Sequence, residues 1–411
     1  MAGGGLVLDD VLRRVDELSS WAVGLLMKVI EEKAVNPSFG GEGEYRRAQL
    51  IESELESIGL SVERIDAPDS RVPEGVRPNI IAKLKGESEK TLWLISHLDT
   101  VPAGTLSLWE TDPFKPVLKD GRVYGRGAED NGQAIASTLL AARAMVEAGA
   151  KPKLTIGLIY ASDEEAGSKL GLEYIFDKVG FKKDDLIVVP DAGNSDGSLI
   201  EVAEKGIIWL KLRVEGKEGH ASMPHRALNA HRIGMRLAIA LDELFRTRFS
   251  SQNPLFDPPY STFEPTKHEA NVENVNTIPG VDVLYFDCRV LPEYRLDDVV
   301  EAAEAVAEVF EKVYPGARVE VSTTNRIDAP PPTSPDSEVV KRLQEAIRLT
   351  RGIEAKPGGI GGGTYAAIFR ARGYPAAVWC TVDETAHQPN EYAKVENLVG
   401  DAKVFAAVPL L

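Results

Sequence analysis

The sequence predicts an α/β fold: a mostly parallel sheet covered by helices, with a small domain inserted into it. Three observations carry this. Short, continuously apolar runs at 92–96 (LWLIS), 154–161 (LTIGLIYA) and 186–189 (LIVV) read as strands buried on both faces. Helical stretches separate them, as crossover-connected sheets require. Between about Lys205 and Thr324 the texture changes to alternating strands and amphipathic helices in a β-α-β-β-α-β order, the split ferredoxin-like pattern.

The elements follow in order. Residues 11–32 have the periodicity of one amphipathic helix, and 44–58 of a second, ended by Gly59. SVERI and NIIAKL read as two strands. The 92–96 strand leads straight into His97. An alanine-rich helix spans 133–147, the 154–161 strand stops at SDEE, and the 186–189 strand stops at Pro190 and Asp191. In the insertion, strands are expected at 207–215, near 261–263, at 281–291 and at 317–323, with helices over 224–249 and 296–313. A proline-rich stretch, 329–335, returns the chain to a helix (337–351), the loop GGIGGGT and the strand AAVWCTV. Residues 1–204 and 325–411 thus form one domain and 205–324 another. No internal repeat stands out.

Composition excludes several classes of function. A formal charge of −16 over 411 residues argues against nucleic acid, whose partners carry basic surfaces. The 43% of hydrophobic residues is enough for a sizeable core. No apolar run reaches the length of a membrane span, and the glycine-rich stretch 1–7 turns acidic at Asp9, unlike a signal peptide. The two cysteines, Cys288 and Cys380, are far apart and sit in apolar runs, so core positions in a reducing, cytoplasmic compartment are expected.

The chemistry lies where the strands end. His97 and Asp99 follow LWLIS. Asp163, Glu164 and Glu165 follow LTIGLIYAS. Asp191 follows LIVVP, and His387 lies a few residues after AAVWCTV. Asp130 sits in the glycine-marked stretch GRVYGRGAEDNG before a helix. In open α/β sheets, sites form at the carboxyl ends of strands. Singly, each residue has a plain explanation: a packed histidine at 97, a helix N-cap at 130, solvated loop acids at 164 and 165, a turn residue at 191. As a set they point elsewhere. Two of only six histidines converge with several carboxylates, and zinc takes nitrogen and oxygen ligands of these types. The set exceeds what one catalytic zinc needs, whereas two metals bridged by one carboxylate would use it all.

Six segments in order resemble the M20 metallopeptidases, a group of deacetylases, desuccinylases, carboxypeptidases and dipeptidases. They are SHLDTVP (96–102), GRGAEDNGQ (125–133), SDEEAGS (162–168), GHASMP (219–224), NTIPG (276–280) and HQPNE (387–391). The resemblance covers nearly the whole chain. It implies two divalent metals, zinc first, with cobalt or manganese as alternatives. Asp130 would bridge them, His97 and Asp191 would complete one, and Glu165 and His387 the other. Asp99 would orient the imidazole of His97. Glu164 would be the general base, taking a proton from the attacking water and passing it to the leaving nitrogen. The peptide after Asp130 would be cis. The inserted domain would be a lid and dimerisation domain carrying His220, which donates to the carbonyl oxyanion, often across a homodimer. Asn276 and Arg289 would bind a substrate carboxylate, and the 361–364 turn, with Gly363 and Thr364, would offer backbone N–H groups to one.

By themselves His220 reads as a surface histidine, Arg289 as a strand-face ion-pair residue, and 361–364 as the start of a helix. His225, His231 and His268 read as structural or exposed. Two departures from the family pattern stand out. The run Asp130-Asn131-Gly132-Gln133 lacks a lysine that many members carry, which bears on fine positioning. Asp191 is Glu in many deacylases and carboxypeptidases, and Asp there resembles the dipeptidase and aminopeptidase branches. The expected function is therefore a hydrolase of an N-acyl amino acid or short peptide with a free carboxylate. The alternative is a dipeptidase or aminopeptidase that needs a free amine. A non-catalytic binding protein on this scaffold would show a broken ligand set, and here every position is filled.

Overall fold

A computed structural model describes residues 2–411; Met1, at the start of the glycine-rich stretch, lies outside the described residues. The chain divides into two compact units, Met1–Val202 with Thr333–Gly358 and Thr364–Leu411, and Ala203–Pro332 with Gly359–Gly363.

The first unit is built on an eight-stranded sheet. Across it the strands run Ser61–Pro68, Val76–Leu84, Leu154–Ala161, Ser88–His97, Leu186–Asn194, Ala376–Thr381, Leu199–Glu204 and Lys356–Ile360. The four central strands, Leu154–Ala161 to Ala376–Thr381, pair in parallel. Antiparallel pairs flank them. Every residue of Leu154–Ala161 is buried, which is why that run is almost wholly apolar and carries no charge. Gly157 in its middle leaves room for Trp93 on the adjacent strand; a Cβ there would lie 2.2 Å from the indole ring. The Trp93 indole N–H in turn donates to Asp185 at 2.9 Å. The helix Ala134–Glu147 is buried on nearly all sides, and its alanines allow that close packing.

Two helix expectations change. Residues 11–32 are not one helix but part of two, Ala2–Glu17 and Ser19–Glu31, with Leu18 at φ −89° and ψ 1° between them. The second helix buries Ala22, Val23, Leu25, Leu26, Val29 and Ile30. Residues 224–249 begin as a short 3₁₀ turn, Pro224–Arg226, and only then form the helix Ala230–Arg248. The side chain of Asn229 sets that start by accepting from the N–H of Arg232 at 2.9 Å.

The second unit has a four-stranded antiparallel sheet in the order Thr262–His268, Val281–Val290, Gly206–Glu215, Arg318–Ile327. With the helices Ala230–Arg248 and Leu296–Val313 it makes a β-α-β-β-α-β domain around a core that includes Leu210, Phe245, Phe286 and Val299. It takes in Gly359–Gly363 as well, which sequence periodicity gave no reason to place there: Gly359 N–H donates to Leu255 O, and Lys205 N–H to Ile360 O. Among the described residues no helix is long and apolar enough to cross a membrane.

Candidate metal centre

Seven of the residues singled out above meet in the first unit, at the carboxyl ends of the central parallel strands. His97 ends one strand, and its imidazole is fully buried. Its Nε2 lies 2.8 Å from Asp130 Oδ1 and 3.3 Å from Asp191 Oδ1. His387, in the loop after Ala376–Thr381, holds Nε2 3.0 Å from Asp130 Oδ2 and 3.2 Å from Glu165 Oε2. The two oxygens of Asp130 therefore face two separate groups, His97–Asp130–Asp191 and Asp130–Glu165–His387, each with its ligand atoms within 4.8 Å of one another. The peptide between Asp130 and Asn131 is cis.

Asp99 is fully buried and does more than orient an imidazole. The Nδ1 of His97 is nearer its backbone carbonyl, at 3.0 Å, than its carboxylate, at 3.6 Å. The carboxylate accepts from the backbone N–H groups of Glu164 (3.0 Å) and Glu165 (3.1 Å) and from the Asn36 amide (2.7 Å). It thus fixes the turn Glu164–Ala166 on which both glutamates sit.

Four positioning residues escape a reading of the sequence. Asn131 accepts from the His97 N–H at 3.2 Å and donates to Asp191 Oδ1 at 2.8 Å, tying two strand ends together. Asn36 joins Asp99 to Asp163. Glu129 and Glu391 form a reciprocal clamp. Glu391, fully buried, accepts from the N–H groups of Gly127, Glu129 and Asp130 and pairs with Arg126. Glu129 accepts from the N–H groups of Asp383, Thr385 and Ala386. Each of the two loops thus supplies the carboxylate that holds the other. Glu391 lies within a quoted segment and Glu129 beside Asp130, but acid type and spacing alone do not separate a clamp from a ligand.

The electrostatics suit a cation. Burial and then the Asp130 charge push Glu165 up to about 7. Burial and then Asp191 hold Glu164 well above its ordinary range, and among the described residues its carboxylate makes no hydrogen bond. Burial opposes ionisation of Asp130 too, but hydrogen bonds from His387 and His97 hold it low. No lysine or arginine pairs with Asp130, Glu165 or Asp191 among the described residues; the counter-charges are imidazoles. Glu165 Oε1 is buried with no hydrogen-bond partner. An orphaned carboxylate oxygen, three carboxylates and two imidazoles are a donor set that fits divalent metals.

One pH dependence follows. Hydrogen bonds to Asp130 and Glu165 raise His387 to about 10. The pairing with Asp130, whose carboxylate stays ionised, stabilises the fold below the ordinary histidine pKa and is lost as pH rises through about 10. A metal needs the neutral ring, so loading must displace the proton. Metal affinity is therefore expected to rise with pH through the neutral range, with acidification of a weakly buffered solution on zinc addition. Calorimetry in buffers of different ionisation enthalpy checks this, and pH-independent binding without proton release would contradict it.

The remaining residues belong to neither of these two ligand groups. Thr364, in the first unit, caps the helix Tyr365–Ala371 by accepting from Ala366 N–H. His220, Asn276, Arg289 and Gly363 belong to the second unit. His220 is exposed, on a two-stranded ribbon opposite Thr277, so Asn276 is a near neighbour; its Nδ1 lies 2.8 Å from Ser222 Oγ. Arg289 is held by both oxygens of Asp287 and donates to Gly361 O at 2.8 Å.

The profile of peptidase family M20/M25/M40 matches residues 93–410. An uncharacterized metallohydrolase of Methanocaldococcus jannaschii is 42% identical over 405 residues, covering 95% of this chain and 98% of its own. A succinyl-diaminopimelate desuccinylase of an Azoarcus species is 28% identical, covering 93% and 95%. The crystal structure of human carnosine dipeptidase 1 shares the fold, with a TM-score of 0.76 at 20% identity over 98% of each chain.

Proposed function

The chain belongs to peptidase family M20/M25/M40 and is a metal-dependent hydrolase of amide or peptide bonds; from that premise we propose that it cleaves an N-acyl amino acid or short peptide with a free carboxylate, using two divalent ions. One observation carries the reading: the two oxygens of Asp130 each face the imidazole of a separate three-residue group. Asp130 is then the shared ligand, with His97 and Asp191 on one side and Glu165 and His387 on the other. Zinc is the expected metal, with cobalt and manganese as substitutes. Bound there, such ions polarise a carbonyl and make water more acidic.

The chain's own groups do the rest. Glu164 accepts a proton from the water whose oxygen bonds to the carbonyl carbon, and its raised proton affinity suits that task. It returns the proton to the nitrogen as the C–N bond breaks. Asp99 holds the turn that aims Glu164. The first unit is the catalytic domain and the second a lid. His220 donates to the carbonyl oxygen as negative charge develops, and Asn276, Arg289, Gly363 and Thr364 receive the substrate carboxylate.

Asp191 favours a second reading, a dipeptidase or aminopeptidase that needs a free amine. Zinc-loaded protein assayed against N-acetyl and N-succinyl amino acids and against unblocked dipeptides separates the two. The expected result is two metal equivalents per chain and turnover of the blocked substrates. Turnover of dipeptides alone would support the second reading, and zero metal after reconstitution would remove both. The expected compartment is a reducing cytoplasm, given that Cys288 and Cys380 are both free and buried; cell fractionation checks it.

The lid is also the expected dimerisation surface. His220→Ala should lower kcat by about 10²-fold, the usual scale for one oxyanion donor, with metal content unchanged. If the partner supplies this histidine, mixing His220→Ala with Glu164→Gln protein gives heterodimers with one intact site, and activity partly returns. No recovery after verified subunit exchange would rule out the contribution from a partner.

A further inference from the structure

The second unit holds a cluster with no part in the reaction above, and it revises the view of His231 and His268 as merely structural or exposed. His231 is the second residue of the helix Ala230–Arg248, His268 ends the edge strand Thr262–His268, and Asp282 lies on the adjacent strand Val281–Val290. His231 Nδ1 and His268 Nε2 each lie 2.9 Å from the same oxygen, Asp282 Oδ1. The three ligand atoms lie within 4.8 Å of one another. The rings are 5.2 Å apart and border an open cleft of about 310 Å³.

Asp282 makes the cluster unusual. The residue is 1% exposed, deep enough that its charge must be compensated. Compensation is lopsided. Oδ1 takes both imidazoles and the Asn271 amide, at 2.8 Å, while Oδ2 is buried with no hydrogen-bond partner. Gly234, one turn along the helix from His231, leaves space for the carboxylate; a Cβ there would lie 2.2 Å from Oδ2. No arginine or lysine pairs with Asp282 among the described residues, and the nearby Lys267 ammonium lies over the Tyr285 ring. Two imidazoles meeting one oxygen of a buried carboxylate, with an open side toward solvent, match a zinc site with three protein ligands and one open position. Ligand atoms on a tetrahedral zinc with bonds of about 2.0–2.1 Å sit roughly 3.3 Å apart, so each 2.9 Å contact would widen by only a few tenths of an ångström.

We propose that His231, His268 and Asp282 form a third divalent-cation site, zinc by preference, separate from the paired ligand groups around Asp130. It ties the start of a helix to the edge strand and its neighbour, holding together three elements that meet at one corner of the unit. Asn271 orients the carboxylate from behind, as outer partners of metal ligands do.

The test is metal binding by the full-length protein, with the double variant His231→Gln/His268→Gln for comparison. Both side chains are partly exposed, at 39% and 43%, so glutamine should be accommodated in the fold. Zinc competition against a chromophoric chelator should show one more equivalent in the wild type than in the variant. That equivalent should weaken by more than roughly 100-fold, since even outer partners of ligands are worth 10–100-fold. Cobalt should give a visible absorption component that the variant lacks, and zinc should raise the wild-type Tm further than the variant's. Hydrolysis by the two proteins at saturating zinc should agree. Equal stoichiometry, or a cobalt component that survives both substitutions, would overturn the site. Should the double variant misfold, the single variant His268→Gln, at the end of the edge strand, must still lose the component.

Discussion

Glu164→Gln is expected to keep both metal ions and to lose turnover by roughly 10²–10⁴-fold, the range for a lost general base. Glutamine has the size of glutamate and the backbone N–H at 164 still reaches Asp99, so the turn stays in place. The amide cannot carry the proton. Glu165→Gln should behave differently: Glu165 faces His387, so that variant should release one ion. Metal analysis and kcat measured together separate a proton carrier from a ligand. Near-normal kcat in Glu164→Gln would reassign the base.

Glu391→Gln is expected to cost the protein both ions and much of its stability. The carboxylate serves Gly127, Glu129 and Asp130 N–H groups and the buried Arg126 at once. Glutamine turns one acceptor into a donor, so whichever oxygen is replaced leaves at least two buried donors unpaired. Breaking a buried ion pair costs about 3–5 kcal/mol. The freed loop carries Asp130, the residue common to both ligand groups, so both should fail together. Glu129→Gln loosens only the loop of His387 and should release one ion. The checks are Tm and metal content for both variants. Wild-type metal content in Glu391→Gln, or matching losses in both variants, would contradict the clamp.

Much of this protein was determined by the sequence alone. The apolar runs LWLIS, LTIGLIYA and LIVV announce a covered sheet because strands buried on both faces leave no place for charged residues and little for polar ones. An acid or histidine at the end of such a run is conspicuous for the same reason, and so His97, Glu165 and Asp191 stood out. The family resemblance followed from six segments in order, and the family profile bears it out.

How these residues are held depends on contacts between segments far apart in the chain. Glu129 and Glu391 are more than 260 positions apart in sequence, yet each grips the other's loop. Asn36, Asn131 and Asp99 act through backbone N–H groups and amides that no local pattern encodes. His231, His268 and Asp282 come from a helix and two strands, and their meeting depends on strand register and on the glycine at 234. Periodicity reports which face of an element is buried, because burial is repeated along the element. A polar contact between distant loops is made once, through one pair of atoms, and leaves no period to read.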